Sequence, residues 1–166
     1  MDFFTSSVLK KMTGIMFKPS SCFVKIKALI LLASFSFLTP CYADGLPPER
    51  EALNKGVELG EKGKYDEAIT EFNKAIVINP HYGKAYEDRG LTYGKKGDLD
   101  QAISDFTRAV ALNPNEGKTY YSRAIAFFAK EIYGSSWLDV HKAESLGYKI
   151  DPKFLEALKK ASGREK

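Results

Sequence analysis

Residues 83–116 read GKAYEDRGLTYGKKGDLDQAISDFTRAVALNPNE, and the 34 residues before them, 49–82, read EREALNKGVELGEKGKYDEAITEFNKAIVINPHY. Placed over one another without a gap, the two stretches share 11 identical residues, including the closing pairs Asn79-Pro80 and Asn113-Pro114. Unrelated stretches of ordinary composition would share roughly two. The chain therefore contains a 34-residue repeat, and this repeat decides the fold, because each unit can bury its apolar face only against its neighbours.

A third, less regular copy follows. It has Ser136 where the other two copies have alanine, and its closing proline is displaced to Pro152. We expect three units, at residues 48–82, 83–116 and 117–150. A terminal unit would leave an apolar face exposed, so a capping helix is needed, and Asp151-Pro152 has the residues of a helix start. The sequence predicts that this capping helix covers residues 151–161.

Each unit is predicted to form two helices. In the second unit, apolar residues spaced by three and four predict a helix that ends at Gly97, which can adopt the left-handed conformation of a C-cap. Asp98 then begins a second helix, and Gln101 three residues later predicts a capping box. Asn113-Pro114 ends that helix, because the residue before proline avoids helical geometry.

Two glycines lie inside predicted first helices, Gly56 and Gly90. Glycine costs a helix interior about 1 kcal/mol relative to alanine. Close approach of the partner helix would offset this cost, with small alanines opposite and the rings of Phe72 and Phe106 in the next layer. We therefore expect a close helix–helix contact at both glycines.

These positions resemble the tetratricopeptide repeat family, whose unit is a 34-residue helix-turn-helix. The residues that carry the structural pattern are Gly56, Ala68, Phe72, Pro80, Gly90, Ala102, Phe106, Pro114, Ala124 and Ala143. The resemblance implies an all-α fold, a right-handed α-solenoid of three helix-turn-helix units followed by a C-terminal capping helix.

In the family, the first helices of successive units line a concave groove that binds a peptide or protein segment. Carried over position by position, the groove would contain Leu53, Val57, Lys84, Glu87, Asp88, Leu91, Lys118, Tyr121, Ser122, Ile125 and Phe128. Alternatively, Phe128 and Ile125, and also Tyr121, could pack beneath the capping helix.

Family members that hold the carboxy-terminal tails of heat-shock chaperones use a clamp rich in lysine and asparagine. Here Leu53, Val57 and Asp88 occupy positions where that clamp needs polar or basic groups, and only Lys118 fits it. The resemblance therefore implies a ligand of another kind, an extended segment with apolar anchors.

Charge and composition exclude several functional classes. The chain has 25 Lys and Arg against 21 Asp and Glu, but residues 44–166 contain 20 of each, so we expect no nucleic-acid partner. Both cysteines lie in the first 43 residues, which leaves the repeats without thiolate chemistry. His81 and His141 are too few for a zinc site. We expect no metal, no cofactor and no enzymatic activity, an enzyme being only a remote alternative.

The amino-terminal 43 residues have the order of a signal peptide. Five lysines precede an uncharged run of 11 residues, 28–38, and small residues lead to a cleavage site after Ala43. A helix of that run would rise about 16 Å, short of the roughly 30 Å of a hydrocarbon core. Met16 could be the true start. Cys41 could instead be a lipid-anchored residue, although Pro40 does not suit that processing.

Together these patterns predict an exported adaptor in the periplasm of a Gram-negative bacterium, with no membrane span after cleavage. Its partner would be a protein or peptide held in the groove. The alternative is a structural or self-associating subunit of an envelope assembly that docks by its convex face. The identity of the partner and the oligomeric state stay open.

The intact mass of the exported protein tests the predicted processing. We expect a new amino terminus at Asp44, because the residues before it have the order of a signal peptide. A diacylated Cys41 would contradict cleavage after Ala43 and favour lipid anchoring.

Overall fold

A computed structural model describes residues 45–163, which form seven α-helices and no strand. The helices are α1 (Pro48–Glu61), α2 (Tyr65–Ile78), α3 (Gly83–Lys96), α4 (Leu99–Leu112), α5 (Gly117–Ala129), α6 (Tyr133–Ser145) and α7 (Pro152–Ser162). Each helix packs against the next one in sequence, and the first helices of the pairs, α1, α3 and α5, also touch one another. The prediction of an all-α helical-repeat solenoid is confirmed.

The predicted close approach at the two helical glycines is present. A Cβ added to Gly90 would lie 2.9 Å from a ring carbon of Phe106, and one added to Gly56 would lie 2.6 Å from a ring carbon of Phe72. Both rings are almost fully buried. Each phenylalanine therefore lies directly over the glycine of its partner helix, which brings the two helices of a unit close together.

The third unit reaches a similar packing with different side chains. Ala124 stands where the other units have glycine, and Val140 stands in place of phenylalanine. Both side chains are fully buried. Ser136, which replaces alanine, is also fully buried, and its hydroxyl donates a hydrogen bond of 2.8 Å to the carbonyl of Ala124. The serine is tolerated because its one polar group is satisfied.

Arginines bridge successive helix pairs. Arg89 on α3 donates two hydrogen bonds of 2.7 Å to Asp105 on α4, and its remaining nitrogen donates to Asn73 on α2. One repeat later, Arg123 makes the same double contact with Asp139 and a further bond of 3.0 Å to Thr107. Each guanidinium thus joins its own unit to the preceding one.

Some of the helix caps predicted from the sequence are present in the structure, and one is not. Gly97 has a φ of 92°, the left-handed C-cap that was predicted. The predicted capping box at Asp98 is wrong: its side chain caps no backbone N–H and lies 3.7 Å from the ammonium of Lys96. The backbone of Asp98, with a ψ of 66°, is not in the extended region that N-cap bonding requires. Asp151 is extended, and it accepts a bond of 2.9 Å from the N–H of Lys153.

Helix α7 covers the end of the third unit. Leu158 is fully buried against Trp137 and Val140 of α6, and the indole N–H of Trp137 donates to the hydroxyl of Ser162. Leu158 follows Ala124 by 34 residues, so α7 occupies the position of a fourth first helix. It therefore caps the apolar end of the solenoid.

None of the helices in residues 45–163 combines the length and the apolar character that a membrane span needs. The predicted signal peptide and Cys41 lie outside the described residues.

Two glycines of α3 test the helix contact. We expect Gly90→Ala to lower the free energy of unfolding by about 1–3 kcal/mol, because its methyl group would overlap the Phe106 ring. Gly94→Ala is the matched control, since its methyl group would meet no atom within 4 Å. It should raise stability by up to about 1 kcal/mol through helix propensity. Urea unfolding measures both, and equal effects would contradict the proposed contact.

Candidate functional site

The first helices enclose two neighbouring cavities, which together form the floor of a groove. The larger cavity, about 320 Å³, lies between α3 and α5. Its lining is mostly apolar and consists of Leu91, Gly94, Lys95, Leu99, Phe106, Ser122, Ile125, Ala126 and Ala129. The smaller cavity, about 150 Å³, lies between α1 and α3 and is lined by Val57, Gly60, Glu61, Phe72, Asp88, Leu91, Thr92 and Lys95.

Five of the residues expected in the groove line these cavities. They are Val57, Asp88, Leu91, Ser122 and Ile125. Sequence reasoning missed Lys95 and Ala129, which lie four residues after Leu91 and Ile125 and therefore on the same helix faces. Extending the predicted stripe by one turn would have found both.

Three expected groove residues have other surroundings. Leu53 is 6% exposed and packs in a core cluster with Phe72, so it offers little surface to a ligand. The ring of Tyr121 lies 5.4 Å from that of Phe154 on α7, and the ring of Phe128 lies at the same distance from it. Burial raises the pKa of Tyr121, and the nearby negative charge of Asp151 raises this pKa further. Tyr121 and Phe128 therefore pack beneath the terminal helix.

The three remaining expected residues, Lys84, Glu87 and Lys118, form a cluster of charges with Asp88 at one end of the groove. Lys84 Nζ lies 3.2 Å from Glu87 Oε2 and 2.7 Å from Asp88 Oδ1. Lys118 Nζ on α5 lies 3.2 Å from Glu87 Oε1. The two carboxylate side chains are about nine-tenths buried, whereas the two lysine side chains are nearly half exposed. The cluster is electrically neutral and joins α3 to α5.

Burial and pairing act on these groups in opposite directions. Burial raises the pKa of Asp88, and the hydrogen bond from Lys84 only partly offsets this. For Lys84, burial alone would lower the pKa, but the contacts with Asp88 and Glu87 outweigh it, and the pKa is raised. Lys84 therefore stays charged, while Asp88 is a carboxylate that has lost much of its hydration.

The chemistry available in the groove is that of binding. Apolar side chains can enter the cavities, and polar groups at the rim can orient a ligand. Among residues 45–163, no three or more His, Cys, Asp or Glu residues are grouped so that they could hold a metal ion.

Sequence comparisons match the central part of the chain. A profile described as TPR repeat matches residues 56–97, and a profile described as tetratricopeptide repeat matches residues 83–116. An uncharacterized protein of Methanocaldococcus jannaschii is 53% identical over 32 residues, which is 19% of this chain and 37% of the relative. The chain thus spans little more than a third of the length of this curated relative.

Solved structures match more of the chain. The first TPR domain of Spaghetti (RPAP3), bound to the HSP90 peptide SRMEEVD, has a TM-score of 0.64 and 28% identity over 70% of this chain and 91% of its own. The TPR2B domain of yeast Sti1, in a complex with pHsp70, has a TM-score of 0.63 and 22% identity over 70% of this chain and 97% of its own. With its exact 34-residue repeat, its paired helices and these matches, the chain belongs to the tetratricopeptide repeat family.

Proposed function

We propose that the protein is a non-enzymatic adaptor of the bacterial cell envelope. It binds an extended peptide segment of a partner protein in the groove between α1, α3 and α5. The segment is anchored by apolar side chains.

The observation that carries this proposal is the larger cavity between α3 and α5. Its volume, about 320 Å³, lies at the low end of the roughly 300–1,000 Å³ typical of ligand pockets, which suits one or two apolar side chains. Burying one such side chain contributes about 1.5–3 kcal/mol. A micromolar complex needs about 8 kcal/mol, so the segment must also contact the rim and the smaller cavity.

Similarity to a peptide-bound domain supports this use of the groove. The RPAP3 domain, which is 28% identical, is bound to the HSP90 peptide SRMEEVD. Domains of this fold typically serve as protein-interaction modules and not as enzymes. The chemistry of the segment is nevertheless expected to differ, because Val57 and Asp88 face the cavities where a chaperone clamp would need basic or amide groups.

The location in the envelope rests on the amino-terminal sequence. Lysines, an apolar run of 11 residues and small residues before Asp44 have the order of an export signal. The protein would then act in the periplasm, after removal of residues 1–43.

Two substitutions of exposed apolar residues test the groove. Ligands are first selected from a phage-displayed peptide library on residues 44–166, and their affinity is measured by fluorescence anisotropy. We expect Ile125→Asp to weaken binding about 10- to 150-fold, because it places a charge at the edge of the larger cavity. Leu138→Asp on α6 is the matched control, since Leu138 is 71% exposed and lines neither cavity. Equal affinities for the two variants would show that the groove is not the binding site.

A second candidate function is a structural subunit that self-associates through the outer face of the second helices. Val77 on α2 and Leu138 on α6 are 79% and 71% exposed, the two highest values among the large apolar side chains of residues 45–163. Single exposed apolar residues are common on monomers, so this observation is weaker than the cavity.

Sedimentation separates the two candidates. If the second helices mediate assembly, the sedimentation coefficient should rise with concentration, and Val77→Ser with Leu138→Ser should abolish that rise. An adaptor that binds through its groove should sediment as a single species whose size does not depend on concentration.

A further inference from the structure

Glu87 contacts both lysines at the charged end of the groove, and Lys84 also pairs with Asp88 at 2.7 Å. Glu87 Oε2 accepts a hydrogen bond from Lys84 Nζ at 3.2 Å, and Glu87 Oε1 lies 3.2 Å from Lys118 Nζ. The angle of the second contact does not suit a hydrogen bond, so within residues 45–163 Oε1 is buried without one. The short distance nevertheless makes Lys118 and Glu87 an ion pair, because attraction between charges depends on distance more than on angle.

The glutamate is fixed, whereas the lysines reach solvent. The side chain of Glu87 is 7% exposed, against 43% for Lys84 and 48% for Lys118. A buried carboxylate that lost its partners would leave an uncompensated charge, so the lysines are held at Glu87 strongly. An incoming carboxylate must compete with a partner that is already in place.

The repeat shows what the groove would be without this glutamate. One repeat position in the first turn of each first helix is basic, with Arg50, Lys84 and Lys118 at intervals of 34. At the position of Glu87, the other two units have Leu53 and Tyr121, which carry no charge. The row of cations would favour an acidic ligand, but at the corresponding positions the second unit alone has carboxylates, Glu87 and Asp88, which pair with the lysines.

We infer that Glu87 determines specificity by acting as an internal substitute for a ligand carboxylate. Because Glu87 pairs with Lys118 and shares Lys84 with Asp88, the groove rejects acidic segments and terminal carboxylates and accepts uncharged, apolar stretches from within a partner chain. This inference rests on the proposed use of the groove for peptide binding.

The acidic HSP90 peptide SRMEEVD is the probe for this inference, used as the free acid at low salt and followed by fluorescence anisotropy. We expect no saturation of the wild-type protein at millimolar peptide. Glu87→Gln should bind the probe at least about tenfold more tightly, the gain expected when one half-exposed lysine becomes available. That gain should disappear at high salt, because the new contact is between charges near the surface.

Glu71→Gln provides the matched control. Glu71 is also buried and also holds two lysines, Lys55 at 2.8 Å and Lys74 at 2.9 Å, but it lies on the second helix α2 and pairs with neither Lys84 nor Lys118. Both variants change the net charge by the same amount. A gain confined to Glu87→Gln supports the inference, and equal gains would reduce it to a general effect of charge.

Two further results would overturn the inference. One is saturable binding of the acidic probe by the wild-type protein, and the other is no gain in a folded Glu87→Gln variant. Circular dichroism checks folding, and Glu87→Leu, which copies Leu53 of the first unit, replaces the glutamine variant if that one does not fold. Peptides selected from the library are measured in parallel on the wild-type protein. If the selected peptides fail to bind, the proposed function is wrong. If they bind but the Glu87→Gln variant has no higher affinity for the acidic probe, only the proposed role of Glu87 is wrong.

Discussion

The contact between Gly90 and the ring of Phe106 sets the geometry on which the rest of the molecule depends. A Cβ added to Gly90 would lie only 2.9 Å from a ring carbon of Phe106. The two helices of the unit therefore approach more closely than any side chain larger than the hydrogen of glycine would permit. Repetition of this contact at Gly56 and Phe72 gives the first two units the same internal spacing. With that spacing fixed, the first helices lie side by side, and the floor of the groove is the gap between them.

Polar contacts add to the apolar packing that joins neighbouring units, in which Phe106 of the second unit and Ala126 of the third share one cluster. The guanidinium of Arg89 is paired with Asp105 by two hydrogen bonds and reaches back to Asn73, and Arg123 repeats this arrangement. Their side chains are less than one-fifth exposed, so removal of one partner would leave a charge in a poorly hydrated place. Planar, bidentate groups of this kind add direction to the stacking, which apolar packing alone does not provide.

Most of the fold could be predicted from the sequence, because a gapless repeat constrains every level of structure at once. The glycine–phenylalanine contact, the C-cap at Gly97 and the cap at Asp151 all follow from residue type and spacing. The capping box at Asp98 could not be predicted correctly, because it depends on a backbone angle that the tight turn after Gly97 decides.

The groove was harder to predict than the fold for a related reason. Position in the repeat places a side chain on the correct helix face, but it does not say what covers that face. Tyr121 and Phe128 lie under Phe154 because α7 closes the end of the array, and Leu53 turns into the core of the first unit. The contact between Glu87 and Lys118 depends on a distance between helices of two different units, which the sequence of a single unit does not contain.

The replacement of the arginine bridge in the first unit has a consequence for the dynamics of the array. At the positions of Arg89 and Asp105, the first unit has Lys55 and Glu71, and the lysine side chain is 60% exposed. Repeat arrays open by local unfolding that starts where the interface between neighbours is weakest. Arg89 still joins α3 to α2, so among these polar contacts within residues 45–163 the weakest is the one between α1 and α2, and we expect it to open first. A ligand that reaches Val57 binds only when this pair is closed and so slows its opening, while a ligand confined to the cavity between α3 and α5 leaves that opening unaffected.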